Sequence, residues 1–277
     1  MYDAASRSDG PMLQRAVGEL RVDLCARDEL TLLDGLRQAG CLKARFPRPV
    51  DTGWSTVVTL NTSGGIAAGD ALDSTFSLRT GARATIAAQA AERFYRALPG
   101  SAPSRVRTRI AVATGAAAEW LPQETILFDN CALDRRLEID LAPDAWFLGV
   151  ECLVFGRAAM GESVEHASLH DVIQARRGGR LLIHDAIRLN GEVAATLQRP
   201  AIAAGARAVA TLVHVAPDAE GALEPMRDAV PQGGVSAWDD LLVARIVAAD
   251  GASLRTAVIA ALQVLRAGRQ LPRVWLC

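Results

Sequence analysis

One pattern recurs in three segments of the chain, residues 71–86, 105–120 and 132–147. In each segment, apolar residues fall at every second position before a turn of small residues. A period of two is typical of a half-buried β-strand, whereas an amphipathic helix repeats about every 3.6 residues. Each segment therefore predicts a hairpin-like pair of strands.

The three copies also predict which residues occupy equivalent positions. Phe76 of the first copy matches Leu137 of the third, Ala84 matches Ala145, and Ala118 of the second copy falls in register with Ala84. Units that recur every few tens of residues are typical of stacked β architectures, in which each unit covers the next. We therefore predict a mainly β fold, a β-helix-like stack of hairpins or sheets. An antiparallel sandwich with similar Gly-Ala turns is the alternative.

The segment EWLPQETILFD, residues 119–129, contains the end of the second copy. Trp120 falls in register with Ile86, so we expect its side chain to face the core. Successive side chains of a strand point to opposite faces. Glu124 differs from Glu119 in parity, so the two carboxylates need not share a face.

The pattern changes from about residue 205. Strands are predicted in ARAVATLVHVA and DDLLVARIVA, and a short helix in DAEGALEPMRDAV. Apolar residues at helical spacing in SLRTAVIAALQVLRA predict a second helix, which Gly268 and Pro272 end. We expect residues 1–204 to form a mainly β scaffold and residues 205–277 an α+β tail with two helices. No low-complexity linker separates them, so we expect a single domain over 1–277.

The charge balance and the scarcity of lysine exclude several functions. The chain has 30 basic and 31 acidic residues, so the net positive charge of a nucleic-acid-binding protein is missing. Lys43 is the only lysine, and it does not lie in a GxxxxGK phosphate-binding loop. The chain is therefore not expected to be a P-loop nucleotide hydrolase.

Five scattered cysteines without a CxxC pair favour reduced thiols over a disulfide framework or a zinc site. The N-terminal residues lack the layout of a signal peptide, and no apolar run is long enough for a membrane span. We expect a cytoplasmic protein that does not bind nucleic acid or membranes.

Two motifs of possible binding chemistry have simpler structural interpretations, and a third motif, for acyl transfer, is absent. The glycine-rich run 61–70 lacks the GxGxxG order, so a tight turn is favoured over a phosphate site. His166 and His170 have the i, i+4 spacing of a metal pair only on a helix, and on a strand they would lie about 13 Å apart. A GxSxG nucleophile motif is absent, so acyl transfer has no support.

Carboxylates in or near apolar strands are the remaining candidates for a binding site. Most such acids are expected to form ion pairs with the many arginines. Carboxylates that line a β scaffold would also suit a weak, exchangeable divalent cation. The candidates are Asp70, Glu92, Glu119, Glu124, Glu151, Glu162 and Asp185.

Five phrases in order along the chain together resemble the urease accessory protein family UreD, also called UreH. They cover nearly the whole sequence, which makes this signal more specific than any single motif. The phrases are NTSGGIAAGD (61–70), QAAERFYRA (89–97), EWLPQETILFD (119–129), FGRAAMGE (155–162) and PRVW (272–275).

The resemblance implies a nickel-insertion chaperone and not an enzyme. It implies a largely β scaffold with two helices that binds the helical protein UreF and the GTPase UreG and docks on apo-urease. A UreD–UreF–UreG complex, possibly two-fold, is expected. GTP chemistry would belong to the partner, in agreement with the missing phosphate-binding loop.

The resemblance also implies that Ni²⁺ passes through an internal acidic channel without a permanently bound cofactor. Matched motif by motif, the channel positions fall on Asp70, Glu151 and Asp185. Hard oxygen ligands hold Ni²⁺ less tightly than imidazole or thiolate clusters do, so an ion bound by carboxylates can be passed on.

Two positions depart from the family pattern. Glu92 stands where small or polar residues often occur, and it either adds a charge to the channel or pairs with Arg93 or Arg96. Ala167 stands where the family commonly has Gly, which affects the expected turn and any role of His166.

Two other classes of protein are alternatives. A β-solenoid enzyme or carbohydrate-binding protein usually exposes aromatic ladders or paired acids, and aromatic residues make up only 5% of this chain. A purely structural subunit would not use the internal carboxylates at all.

Overall fold

The chain is described by a computed structural model over residues 14–48, 53–157 and 160–276. Strands dominate, as the alternating apolar pattern predicts, and the mainly β fold class is confirmed. The division into a scaffold (1–204) and a tail (205–277) within one domain stays a prediction.

In the described part of the chain, the first sheet, sheet A, has seven strands in the order β14-β13-β11-β8-β5-β1-β2. In chain order they are β1 (Val17–Arg27), β2 (Leu30–Gly40), β5 (Ala71–Leu78), β8 (Ser104–Val112), β11 (Cys131–Leu141), β13 (His166–Arg177) and β14 (Arg180–Glu192).

The second sheet, sheet B, has ten strands among the described residues, of which eight follow the order β16-β17-β15-β12-β9-β6-β4-β3. The short strands β7 and β10 pair with each other, and β10 also pairs with β12. In chain order they are β3 (Leu42–Arg45), β4 (Ser55–Asn61), β6 (Arg83–Ala88), β7 (Glu92–Phe94), β9 (Ala117–Leu121), β10 (Thr125–Leu127), β12 (Trp146–Phe155), β15 (Ala208–Val215), β16 (Gly234–Trp238) and β17 (Leu241–Ala248).

Each copy of the repeat contributes one strand to each sheet. β5, β8 and β11 lie side by side and parallel in sheet A, and β6, β9 and β12 do the same in sheet B. The predicted hairpins are therefore wrong: the two strands of a copy do not pair with each other but with the equivalent strands of the neighbouring copies. The predicted stacking of the copies is confirmed, and the parallel pairing excludes an antiparallel sandwich in this region.

The predicted register holds for the first two copies and is displaced in the third. Ala84 lies opposite Ala118, as expected, but Ala118 lies opposite Phe147 and not Ala145. In sheet A, Phe76 lies opposite Ile110, which lies opposite Ile139 and not Leu137. A displacement of two residues keeps every side chain on its face, because side chains alternate with a period of two.

Two apolar cores flank sheet B. The first lies between the sheets and includes Phe76, Ile110 and Phe147, each at most 1% exposed. The second lies on the opposite face of sheet B, where Leu121 and Leu148 pack with apolar residues of the C-terminal helices.

Three helices accompany the strands in the described part of the chain: α1 (Val193–Gln198), α2 (Leu223–Ala229) and α3 (Gly251–Leu265). The two predicted C-terminal helices correspond to α2 and α3. Asp250 caps α3 by accepting a hydrogen bond from the Ser253 backbone N–H. The face of α3 that packs on sheet B carries the five apolar residues whose spacing predicted the helix: Leu254, Val258, Ala261, Leu262 and Leu265. The short helix α1 and strand β16 were not predicted.

Candidate functional site

A cavity of about 260 Å³ lies between the two sheets. Sheet B supplies wall residues from β3, β4, β6, β7, β9, β10 and β12, and sheet A supplies others from β5, β8 and β11. Residues of the connections 64–66, 89–91 and 122–123 complete the wall. Most of the wall is apolar, but two carboxylates, Glu92 and Glu151, belong to it. This concave, mostly apolar cavity with two carboxylates on its wall is the candidate site.

Glu151 has two partners at the wall of this cavity. Strand β12 turns its side chain inward, where it is 6% exposed. Its Oε1 atom accepts a hydrogen bond from Trp120 Nε1 at 2.8 Å, and its Oε2 atom lies 2.7 Å from Arg135 Nη1. Trp120 packs against the core between the sheets, as its register predicted.

Arg135 connects Glu151 to a second buried acid, Asp171. The Nε and Nη2 atoms of Arg135 donate to the two carboxylate oxygens of Asp171 at 2.8 and 2.7 Å, and Nη1 donates to Thr125 Oγ1 at 2.8 Å. Arg135 and Asp171 are directly opposite each other on β11 and β13. A bidentate contact of this kind is among the stronger ion pairs in proteins.

Electrostatics in this cluster depend on burial and on the guanidinium. Burial raises the pKa of Glu151, since it penalises the carboxylate; nearby Arg135 opposes that shift, and Asp171 adds to it. Burial by itself lowers the pKa of Arg135, but the charges of Asp171 and Glu151 outweigh it and leave the pKa raised. The guanidinium is therefore held charged between two acids.

Glu92 is the other carboxylate of the wall. Its oxygens accept hydrogen bonds from Asn61 Nδ2 at 3.2 and 3.1 Å, and burial raises its pKa. Of the two alternatives for Glu92, the ion pair with Arg96 is not formed within the described residues, where Arg96 Nη2 instead lies 3.9 Å from Asp129 Oδ2. The Arg93 backbone N–H donates to Glu92 Oε1 at 3.3 Å, and the nearby charge of Arg93 lowers the pKa of Glu92 in opposition to burial. Glu92 therefore contributes an acidic group to the cavity.

Asp185 also lies between the sheets, but it does not belong to the cavity wall. It lies on β14, and both of its oxygens contact Arg245 Nη2, at 2.6 and 2.7 Å. Arg245 lies opposite Thr211 on β15, which lies opposite Glu151 on β12. A row across the inner face of sheet B thus leads from Glu151 through Thr211 to the partner of Asp185.

Asp70 accepts hydrogen bonds from two backbone N–H groups. Its Oδ1 atom accepts a hydrogen bond from the Ala16 backbone N–H and its Oδ2 atom from that of Ala67, both at 2.8 Å. The carboxylate therefore fastens the glycine-rich turn to the chain that enters β1. That turn contains Gly64, Gly65 and Gly69 at positive φ, as the turn interpretation requires.

The three acids predicted from the family resemblance are not brought together. Within the described residues, no hydrogen bond or ion pair joins Asp70, Glu151 and Asp185 to one another, and only Glu151 belongs to the cavity wall. The same part of the chain contains no group of three His, Cys, Asp or Glu side chains placed to hold a metal ion. The cavity thus offers single oxygen donors, which bind a divalent cation weakly.

Most of the other candidate residues have structural partners, as expected. Glu162 pairs with Arg157 at 2.6 Å, and Glu124 pairs with Arg255 at 3.0 Å. Glu119 is fully buried against Arg266. Ion pairs hold Glu119, Glu124, Glu151, Glu162 and Asp185, so the expectation that ion pairs hold most of these acids is confirmed.

The two histidines do not form a metal pair. His166 and His170 lie on strand β13, so the helix that the pair requires is absent there. His170 Nδ1 instead lies 3.5 Å from Asp134 Oδ1. Ala167 is a buried residue of the same strand, so no turn exists at this position for a glycine to support.

Sequence analysis missed Arg135 and Asp171, although the sequence contains a signal for both. Arg135 stands between Leu133 and Leu137 at a position where the alternation of β11 demands an apolar residue, and Asp171 interrupts β13 in the same way. Charged residues at core positions are rare unless they are paired. Two opposite charges at such positions on neighbouring strands therefore indicate a buried ion pair.

Comparison with known proteins defines the class of this chain. A model of the family described as UreD urease accessory protein matches residues 16–276. The urease accessory protein UreD of Dinoroseobacter shibae is 45% identical over 269 residues, 96% of this chain and 94% of that protein. The UreD proteins of Azorhizobium caulinodans and Ruegeria pomeroyi are 43% and 46% identical, over 96% and 88% of this chain and 98% and 94% of theirs.

These matches place the chain in a class of accessory proteins and not of enzymes. The chain belongs to the UreD urease accessory protein family. In the described residues, no helix combines the length and apolar character needed to cross a membrane.

Proposed function

We propose that this protein is a cytoplasmic scaffold that joins UreF- and UreG-like partners on apo-urease and helps to deliver Ni²⁺ to the urease active site. Membership of the urease accessory family supports the role. The single lysine, Lys43, lies outside any phosphate-binding loop motif, so nucleotide hydrolysis would belong to the GTPase partner. The alternative of a β-solenoid enzyme or carbohydrate-binding protein is not the class of its relatives.

Ni²⁺ would travel through the interior as transient cargo, without a permanently bound cofactor. The observation that carries this proposal is the Glu151 carboxylate, buried between the sheets on the wall of the cavity. Its oxygens provide a hard ligand that holds Ni²⁺ weakly enough to release it. Asp70 and Asp185 are the two further positions proposed for the path, and each would have to exchange its present partners for the ion.

Activation of urease in cells tests the proposal. Variants Glu151→Gln, Asp70→Asn and Asp185→Asn are each co-expressed with apo-urease and the UreF- and UreG-like partners. We expect Glu151→Gln to lower urease activity and the nickel content of purified urease, while co-purification of the partners is retained. The same results for Asp70→Asn and Asp185→Asn would extend the path beyond the cavity.

Glu138→Gln is the matched control. Glu138 is also a strand glutamate paired with an arginine, Arg109, at 3.2 Å, but it lies on the outer face of sheet A. Normal activation by Glu151→Gln, with an intact complex, would contradict nickel passage through this cavity. If the wild-type protein co-purified with none of these partners, the scaffold role itself would be contradicted.

A further inference from the structure

The geometry points to Arg135 as a resident cation that competes with a metal ion for Glu151 and so keeps metal binding at this site transient. This inference rests on the proposed function, because it assigns a regulating residue to the same cavity. It concerns a residue that the family resemblance does not place among the expected nickel ligands.

The first step is that Arg135 occupies the place a metal ion would need. Its Nη1 atom lies 2.7 Å from Glu151 Oε2. The other oxygen, Oε1, already accepts the indole N–H of Trp120 at 2.8 Å. A cation that takes the Oε2 lone pair now facing Nη1 therefore displaces the guanidinium from that oxygen.

The second step is that Arg135 releases Glu151 more easily than its other partners. Asp171 holds Nε and Nη2 in a bidentate contact, and Thr125 accepts from Nη1. If Glu151 turns to a metal ion, the guanidinium keeps its carboxylate partner and most of its hydrogen bonds. A buried charge that kept no partner would be strongly destabilising.

The third step is the charge of the cluster. Glu151, Asp171 and Arg135 together have a formal charge of −1, since two carboxylates face one guanidinium. A bound Ni²⁺ changes this sum to +1 with the guanidinium still in place. An excess positive charge in a buried site favours departure of the ion, after which Arg135 binds Glu151 again.

Nickel titration of purified full-length protein tests the inference. The chain is purified with its UreF-like partner, and binding of Ni²⁺ alone is measured by isothermal titration calorimetry. We expect Arg135→Gln to tighten Ni²⁺ binding by about tenfold or more, because the competing charge is gone. In cells, we expect the same variant to activate urease less, because the ion is retained.

A second variant separates competition for Glu151 from the net charge. Arg135→Gln with Asp171→Asn removes one charge of each sign, so the formal charge of the cluster stays at that of the wild type. If Arg135→Gln alone does not fold, Ni²⁺ binding by this double variant tests the inference. We expect tighter Ni²⁺ binding than in the wild type, and loss of that gain when Glu151→Gln is added.

Arg109→Gln is the control, since Arg109 pairs with Glu138 on the outer face of sheet A. It should leave Ni²⁺ affinity unchanged. The inference would be overturned if the double variant Arg135→Gln with Asp171→Asn bound Ni²⁺ no more tightly than the wild type. This holds even if Glu151→Gln still impairs urease activation. Unimpaired activation and unchanged Ni²⁺ binding in Glu151→Gln would instead defeat the proposed function, and this inference with it.

Discussion

Glu119 and Arg266 lie 147 residues apart in the sequence and form an ion pair in which both side chains are at most 2% exposed. Arg266 Nε donates to Glu119 Oε1 at 2.9 Å, and Nη2 donates to Oε2 at 3.1 Å. Arg269 Nη2 reaches Oε1 at 2.6 Å, and Thr85 donates to Oε2. The contact joins strand β9 to the segment that follows α3.

Loss of the Glu119 carboxylate should be strongly destabilising. Glu119→Ala leaves Arg266 buried without its partner, and breaking such a pair costs about 3–5 kcal/mol of the free energy of unfolding. Urea denaturation measures the change. Glu138→Ala, which removes the half-buried partner of the exposed Arg109, should cost less than about 1 kcal/mol. Equal losses in the two variants would contradict the structural role of the buried pair.

Arg255 should hold the C-terminal 3₁₀ turn Arg273–Trp275 against β9 and β10. It donates to Gln123 Oε1 at 2.8 Å, to Glu124 Oε1 at 3.0 Å and to the Trp275 carbonyl at 2.6 Å. Arg255→Ala removes all three contacts and should speed hydrogen exchange at the Trp275 and Leu276 amides.

Hydrogen exchange followed by mass spectrometry checks this prediction, with Arg227→Ala as the control. Arg227 makes an exposed i, i+3 pair with Glu224 on α2, and such a pair contributes little to stability. Unchanged exchange in the C-terminal peptide of Arg255→Ala would show that other contacts hold the turn.

Gly40 is predicted to tolerate no side chain. It ends β2 with φ at +59°, and a Cβ atom there would lie 1.7 Å from the Val17 carbonyl oxygen. Gly100 also has positive φ, at +77°, but has nothing within 4 Å of a Cβ. Gly100→Ala should therefore cost about 1 kcal/mol of unfolding free energy, and Gly40→Ala about 3 kcal/mol or more.

Thermal unfolding of the two glycine variants separates backbone strain from the steric clash. Both variants carry the strain of a left-handed backbone, and only Gly40→Ala adds the overlap with Val17. Similar melting temperatures for the two proteins would mean that the backbone around Gly40 moves freely enough to remove the overlap.

The strands were predictable from the sequence because alternation is a local property, but their partners were not. Ala84 and Ala118 could be aligned from the sequence, yet nothing near either residue shows whether its strand pairs within its own copy or with the next. The sequence also does not show that Phe147, and not Ala145, lies opposite Ala118, because a shift of two residues preserves the alternation of apolar side chains.

Of the sequence candidates, only Glu92 and Glu151 lie on the cavity wall, and Glu151 alone was among the three proposed nickel positions. Its position on the cavity depends on β12 facing β11 across the core, a relationship between distant segments. Glu119 and Glu124 differ in parity, yet both contact arginines in or directly after α3, because strand β9 ends at Leu121 and the chain bends before Glu124. Period-two reasoning therefore fails where a strand is interrupted.

His214 should make stability depend on pH. It is 6% exposed, its Nδ1 atom lies 3.0 Å from the Phe147 carbonyl oxygen, and burial lowers its pKa, while that hydrogen bond opposes the shift. In the unfolded chain the imidazole takes up a proton near its ordinary pKa of about 6.5. The folded protein binds that proton only at lower pH, so the unfolded state binds more protons as the pH falls below about 6.5.

The free energy of unfolding should therefore decrease from pH 7 towards pH 5, with a contribution from His214 of up to about 1.4 kcal/mol per pH unit. Urea denaturation at several pH values measures the slope in the wild type and in His214→Gln, which keeps a hydrogen-bond donor but cannot be protonated in this range. We expect a smaller slope in His214→Gln and the wild-type slope in His184→Gln, whose side chain is exposed on β14. Equal slopes in the wild type and His214→Gln would show that this buried imidazole does not determine the acid sensitivity of the fold.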